Sequence, residues 1–321
     1  MSALATVLDA GGASTSVLLE RVEERMRELI GGHGAVLARY AGQTIAAGGK
    51  RLRPLLVGLA AGVPVPDSER LVRAAVAVEL VHAASLVHDD VLARAALRRG
   101  QPTVVASAGR PLAAATGDLL FSRAFAELAR GGSIVPVRIL SRASSELAAG
   151  ELMQRADAFQ SDVGVARYLE RCRLKTGVLF RAACELGALV GCPAELERLG
   201  SFGEQLGVAF QLLDDVLDVV GAQGQTGKPR GTDLLDGTVT LPLILARERD
   251  PELARLALRE LGSAEQALKV CERIACSGAI DLVRERALGL VGAAKTSLSE
   301  LPDLQRGVLE LVADGVVERY A

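Results

Sequence analysis

Tryptophan is absent from this chain, and Phe and Tyr are so few that aromatics make up 3% of it. Strand signals are almost absent, and Ala, Leu, Arg and Glu are abundant, which weighs against any sheet-based architecture. Cysteine is sparse and scattered. Cys172, Cys184, Cys192, Cys271 and Cys276 form no CxxC pair, which argues against a disulfide frame and against a zinc site and predicts small reduced thiols in a core. Charge of one sign is not in excess, with a formal net charge of −2. That removes the electrostatic case for nucleic acid or an acidic membrane surface. No apolar run is expected to reach the roughly 18–20 residues that span a bilayer. The opening MSALATVLDAGGASTS lacks the basic stretch and apolar core of a secretory signal, so a cytoplasmic location is expected.

Lysine is scarce even among the basic residues. Only Lys50, Lys175, Lys228, Lys269 and Lys295 stand among 37 cations. A chain that otherwise uses arginine would keep lysine where a compact, flexible point charge is needed, as beside phosphate oxygens. Lys50, Lys175 and Lys228 lie in glycine-bearing or otherwise apolar settings; Lys269 and Lys295 lie on ordinary amphipathic helices.

What the chain does have is length and helical periodicity. Its 321 residues, half of them hydrophobic, suffice for a large core. Apolar residues recur at steps of three and four. The spacing predicts helices over 16–47, 68–96, 112–130, 134–156, 162–190, 195–220, 238–248, 251–261, 263–276, 279–299 and 303–319, separated by short Gly/Pro breaks. With no composition shift to mark a boundary, a single all-α domain over 1–321 is expected, with 68–92 and 195–220 as its central helices.

The segment 195–220 carries two stripes. Leu206, Phe210, Leu213, Leu217 and Val220 fall within about 80° of one another; Gln211, Asp214, Asp215 and Asp218 occupy a separate arc of about 100°. In "FQLLDDVLD", Asp214 and Asp218 are one turn apart. Carboxylates crowded among Leu and Val repel one another and lose hydration. A hard divalent cation such as Mg²⁺ relieves both costs; the alternative is a solvated charged face. "LVHDDVLA" resembles this pattern, with Glu79, His82, Asp89, Asp90 and position 93 within roughly 100° on a helical wheel. Position 93 is alanine, and Arg94 follows it. Cations gather in GGKRLRP (48–54), in RRG (98–100), at Lys175 in LKTG (174–177) and at Lys228 in TGKPRGTD (226–233). That is more positive anchors than one phosphate group needs, and it suits two diphosphates, one held through Mg²⁺.

The ordered series GGKRLRP, ELVHAASLVHDD, RRGQPT, GELMQ, KTGVLFRAACELGA, FQLLDDVLDVVG, GKPRGTDLLDG and TLP resembles the trans-polyprenyl diphosphate synthases, from about Gly48 to Arg319. The resemblance implies an all-helical isoprenoid synthase bundle with a central cavity, and helix-mediated dimers. It also implies a reaction. An allylic diphosphate ionises with the help of Mg²⁺, the allylic cation alkylates isopentenyl diphosphate, and a proton is lost.

By matching motif, Lys50, Arg53, His82 and Arg99 would hold isopentenyl diphosphate. Arg98, Lys175, Thr176, Gln211 and Lys228 would contact the allylic diphosphate or its metals. Asp89, Asp90, Asp214, Asp215 and Asp218 would form two metal-binding motifs, with Asp89, Asp214 and Asp218 as direct ligands. Phe210 would border the reacting chain, and Gln154 and Asp157 would lie close by. Ala84 and Ser85, one turn before Asp89, would line the upper wall of a product tunnel, with Phe121 and Phe125 as deeper floors. Their small size implies products longer than C20, unless it serves only close helix packing.

Two departures stand out. The first motif reads Asp89-Asp90-Val91-Leu92-Ala93 where the family has DDxxD, and Thr238 stands where many members have lysine. The loss at 93 keeps open a second reading, a weakly active or non-catalytic subunit of a heteromeric synthase.

Overall fold

The computed structural model describes residues 3–31, 34–46, 49, 51–98, 100–221 and 230–318. Its helices are α1 (Ala3–Gly11), α2 (Ala13–Ile30), α3 (Ala35–Ala46), α4 (Leu52–Ala61), α5 (Glu69–Ala93), α6 (Val104–Ala129), α7 (Ile134–Asp157), α8 (Val165–Cys172), α9 (Val178–Gly191), α10 (Leu196–Val220), α11 (Thr232–Leu235), α12 (Leu241–Arg247), α13 (Pro251–Arg255), α14 (Ala264–Cys276), α15 (Ala279–Ser297) and α16 (Asp303–Glu318). Among the described residues the only strand pairing is a short hairpin, Leu97–Arg98 against Gln101–Pro102. The protein is all-α. By Cα packing it divides into two compact units: Met1–Ser145 with Leu179–Gly203 and Lys295–Gly315, and Glu146–Val178 with Glu204–Ala294 and Val316–Ala321.

In the first unit α5 is the core helix. Leu71, Val72, Ala74–Leu80 and Val81 are all buried, because this stretch is apolar around nearly its whole circumference and packs against α2, α4 and α6. One expectation is corrected here. By length and composition α5 could cross a membrane, although 72% of its most apolar window is buried inside the protein. Glu79 and His82 interrupt its apolar runs but leave the window apolar on average.

α5 ends at Arg94, whose backbone is left-handed (φ 54), with Ala95 N–H closing onto the Asp90 carbonyl at 3.0 Å. α6 comes close to α5 at Gly117, where a methyl group would lie 2.3 Å from the His88 ring; His88 stacks on Phe121 at 5.6 Å. The single helix expected over 16–47 is two, α2 and α3, interrupted around Gly31 and Gly34, the latter at φ 82. The helix expected to start at 112 begins earlier. Thr103 caps it by accepting from Ala106 N–H at 3.1 Å, and Gly109 (φ 80) breaks it before Pro111.

In the second unit the helix expected over 162–190 is interrupted. A π-helical turn, Arg173–Gly177, lies between α8 and α9. Such insertions occur often at functional sites; here the turn holds the KTG sequence. Two glycines let neighbouring backbone come close. A methyl on Gly150 would lie 2.7 Å from the Lys175 nitrogen, and one on Gly177 would lie 3.2 Å from the Glu204 carbonyl. The turn is thus held tightly by α7 and α10.

Candidate functional site

The first acidic motif occupies the last turn of α5. Asp90 is buried and Asp89 half-buried. The hairpin after α5 turns the chain back so that Arg98 reaches both. Its Nε and Nη2 lie 2.9 and 2.7 Å from one Asp90 oxygen, and Nη2 lies 3.6 Å from Asp89. Thr103 secures the hairpin by donating its hydroxyl to the Ala95 carbonyl at 2.6 Å. A cavity of about 560 Å³ in this unit is lined by Leu86, Asp90, Arg98, Gln101 and Thr103 among others. Arg94, the cation adjacent in sequence, is exposed. It is Arg98 that meets the carboxylates.

The basic patch at the start of α4 splits into two roles. Arg51 binds Glu23 and the buried Glu79, the latter at 2.8 Å, and donates to the Ile45 carbonyl. It is a structural strut. Arg53 lies over the Phe180 ring at 4.7 Å, and its Nε is buried with no hydrogen-bond partner among the described residues. Burial lowers its guanidinium to about 10 despite the raising influence of Glu79. A desolvated cation with an unmet donor is suited to an anion. His82 is half-buried on α5 in the same unit. Lys50, Arg99 and Lys228 lie outside the described residues. Ala84 is fully buried, and half-buried Ser85 donates to the His82 carbonyl at 2.8 Å.

The second acidic motif, on α10, is not a uniform stripe. Asp214 is exposed, Asp218 half-buried and Asp215 buried. Phe210 and Gln211 are half-buried. Asp218 accepts from Asp233 N–H at 3.2 Å, and the Asp218 carbonyl accepts from Gly231 N–H at 2.9 Å. Asp215 takes one hydrogen bond on each oxygen, from Tyr168 Oη at 2.7 Å and from Gln211 Nε2 at 2.8 Å. Burial, then the charge of Asp233, pushes Asp215 up to about 7. The Gln211 carbonyl oxygen accepts from the Thr176 hydroxyl at 2.8 Å. Lys175, next to it, pairs with Glu151 at 3.0 Å.

The structure therefore brings Thr176, Gln211 and Asp215 into one hydrogen-bonded chain. Tyr168 and Glu151 were not singled out from sequence. The signal for Tyr168 was its place two turns before Lys175, a hydroxyl-bearing aromatic in a chain with three tyrosines.

Asp157 is buried under Arg167 at 2.6 Å and Arg171 at 3.3 Å, the latter also donating to the Val239 carbonyl. All five cysteines are free; burial raises the Cys271 thiol to about 12. Among the described residues no three His, Cys, Asp or Glu side chains stand together as a ready metal cluster.

The family model described as "Polyprenyl synthetase" matches residues 35–275, most of the chain. The chain belongs to the polyprenyl synthetase family. Among its relatives, the heptaprenyl diphosphate synthase component 2 of Geobacillus stearothermophilus is 39% identical over 283 residues, 85% of this chain and 88% of that one. A solved polyprenyl synthase from Caulobacter crescentus CB15, complexed with calcium and isoprenyl diphosphate, superposes with a TM-score of 0.90 at 35% identity, covering 99% of this chain and 98% of its own. A decaprenyl diphosphate synthase from Rhodobacter capsulatus gives a TM-score of 0.87 at 31% identity over 98% of this chain and 99% of its own. The isoprenoid synthase fold is thus the fold of this polyprenyl synthetase.

Proposed function

We propose that this polyprenyl synthetase transfers an allylic prenyl group to isopentenyl diphosphate, giving a polyprenyl diphosphate longer than C20. The observation that carries the reading is the hydrogen-bonded chain on α8, the π-turn and α10. It fixes Thr176 and Gln211 beside an acidic motif whose outer members, Asp214 and Asp218, face less buried surroundings.

Magnesium fits that donor set. Asp214 and Asp218 are carboxylates one turn apart, the hard oxygen donors Mg²⁺ takes. With Asp215 they form the metal motif, Asp215 serving as its internal anchor. At the first motif Asp89 and Asp90 would hold metal in competition with Arg98. Bound Mg²⁺ would offset the negative charge of the departing diphosphate. Arg53, with His82, Lys50 and Arg99, holds isopentenyl diphosphate. Lys175, Thr176, Gln211, Lys228 and Arg98 hold the allylic diphosphate end, and Phe210 borders the growing chain.

The single domain expected from the sequence is part of this reading, since one family model runs through segments of both units. So are a cytoplasmic location and a homodimer. Leu112, Leu119 and Phe125 of α6 are half-buried within the chain, which leaves apolar surface for a second copy. Light scattering at micromolar concentration is expected to give twice the mass of one chain.

A second reading has its own support. Ala93 removes a first-motif carboxylate, Arg98 occupies the remaining pair, and one relative is named as a component of a heptaprenyl synthase. A heteromeric subunit of low activity fits those facts.

Mass spectrometry of products from purified protein, isopentenyl diphosphate, Mg²⁺ and each allylic starter separates the two. Products of C30 or more from the chain alone support the first reading; product only after a partner chain is added supports the second. Ser85→Phe is expected to shorten the product. Unchanged length would place the tunnel floor elsewhere.

A further inference from the structure

The hydrogen-bonded chain in the second unit starts at a residue with no assigned part in the reaction. Tyr168 is buried to 1% exposure, so water does not compete for its hydroxyl. Its Oη donates to one oxygen of Asp215, and Gln211 Nε2 donates to the other. Both Asp215 oxygens are acceptors in this arrangement, one for each donor. With its NH₂ committed to Asp215, the Gln211 amide has one orientation, and its carbonyl oxygen points to the Thr176 hydroxyl. Turning the amide over would set its carbonyl oxygen against the carboxylate. The Thr176 hydroxyl, having donated its proton, offers only lone pairs to whatever lies beyond it.

We propose that Tyr168 is a positioning residue: through Asp215 it sets the Gln211 amide and the Thr176 hydroxyl, and with them the allylic half of the site. This rests on the prenyl-transfer reading above. The rest of the Tyr168 side chain has a separate job. Its ring packs against the Arg171 guanidinium, 5.3 Å from its centroid, and that contact survives in phenylalanine. Tyr168→Phe therefore removes the hydroxyl and little else. Asp215 keeps one donor instead of two, in a place where an unmet carboxylate oxygen is costly. It re-seats, and the Gln211 and Thr176 orientations go with it. The hydrogen bonds from Tyr168 to Thr176 all run within the second unit, whereas Arg53 and His82 belong to the first.

The test is steady-state kinetics of the full chain with each substrate varied in turn, together with thermal melting. For Tyr168→Phe the expected result is a fall of about tenfold or more in kcat/KM for the allylic diphosphate, with KM for isopentenyl diphosphate within about twofold of wild type. A purely structural tyrosine would lower Tm and depress both substrates alike; that pattern, or unchanged kinetics, overturns the proposal. Asp215→Asn is the second variant, used if Tyr168→Phe does not fold. Asparagine offers one acceptor where two are needed, so the same selective loss is expected, and its absence counts equally against the proposal. Wild-type protein that forms no product overturns the prenyl-transfer reading and this inference with it. Active wild type with an unaltered Tyr168→Phe overturns this inference alone.

Discussion

Adjacent carboxylates in this protein have different surroundings, and that decides what each can do. Asp89 and Asp90 share Arg98; Asp214 and Asp215 differ from exposed to buried across one peptide bond. Helical geometry alone accounts for the second contrast, because successive residues point about 100° apart. At the first motif the helix continues through Ala93 before Arg94 stops it, so position 93 still lies one turn after Asp89 on the same face. Ala93→Asp is expected to tighten Mg²⁺ binding by about three- to tenfold by calorimetry, each tenfold being about 1.4 kcal/mol. Arg98→Gln in the same background is expected to add to the gain, since the arginine no longer competes. An unchanged affinity in both variants would mean that position 93 does not reach bound metal. The residue types of both motifs were legible in the sequence. Which arginine opposes them was not: Arg94 is adjacent in sequence, but the hairpin that delivers Arg98 depends on turn and capping contacts at Thr103 that periodicity does not encode.

At the scale of elements, the long helices were readable because apolar spacing persists over many turns. The misjudged places share a cause. The breaks at Gly31 and Gly34 and the π-turn at 173–177 interrupt a helix without interrupting its apolar pattern, so periodicity runs straight through them. Short α11 and the hairpin lie where no period can be counted. One such local device bears on the site. Gly237, at φ 73, seats its Cα against Phe159, and Phe159 N–H donates to the Gly237 carbonyl at 2.8 Å. A methyl there would lie 2.5 Å from the Phe159 ring, in a backbone region costly for any residue with a Cβ. The two costs combined predict that Gly237→Ala destabilises the protein by about 2–4 kcal/mol in urea unfolding. A loss below roughly 0.5 kcal/mol, the size of an ordinary surface change, would show that this loop shifts freely.

At the scale of the whole molecule, each unit carries its own part of the proposed chemistry. The first holds Arg53, His82 and an acidic motif closed by its own arginine; the second holds the Tyr168–Asp215–Gln211–Thr176 chain and the more open Asp214 and Asp218. The central claim is that this chain transfers a prenyl group by itself, using the second motif. The most direct measurement is incorporation of labelled isopentenyl diphosphate into extractable product by purified protein with an allylic diphosphate and Mg²⁺, run side by side on wild type and Asp214→Ala. Asp214 is exposed, so the variant should melt close to wild type. Wild type is predicted to form product, and the variant to fall below about a tenth of its kcat, a loss of more than about 1.4 kcal/mol of transition-state stabilisation. Product from wild type and variant at equal rates, or none from wild type until another chain is supplied, would contradict the account.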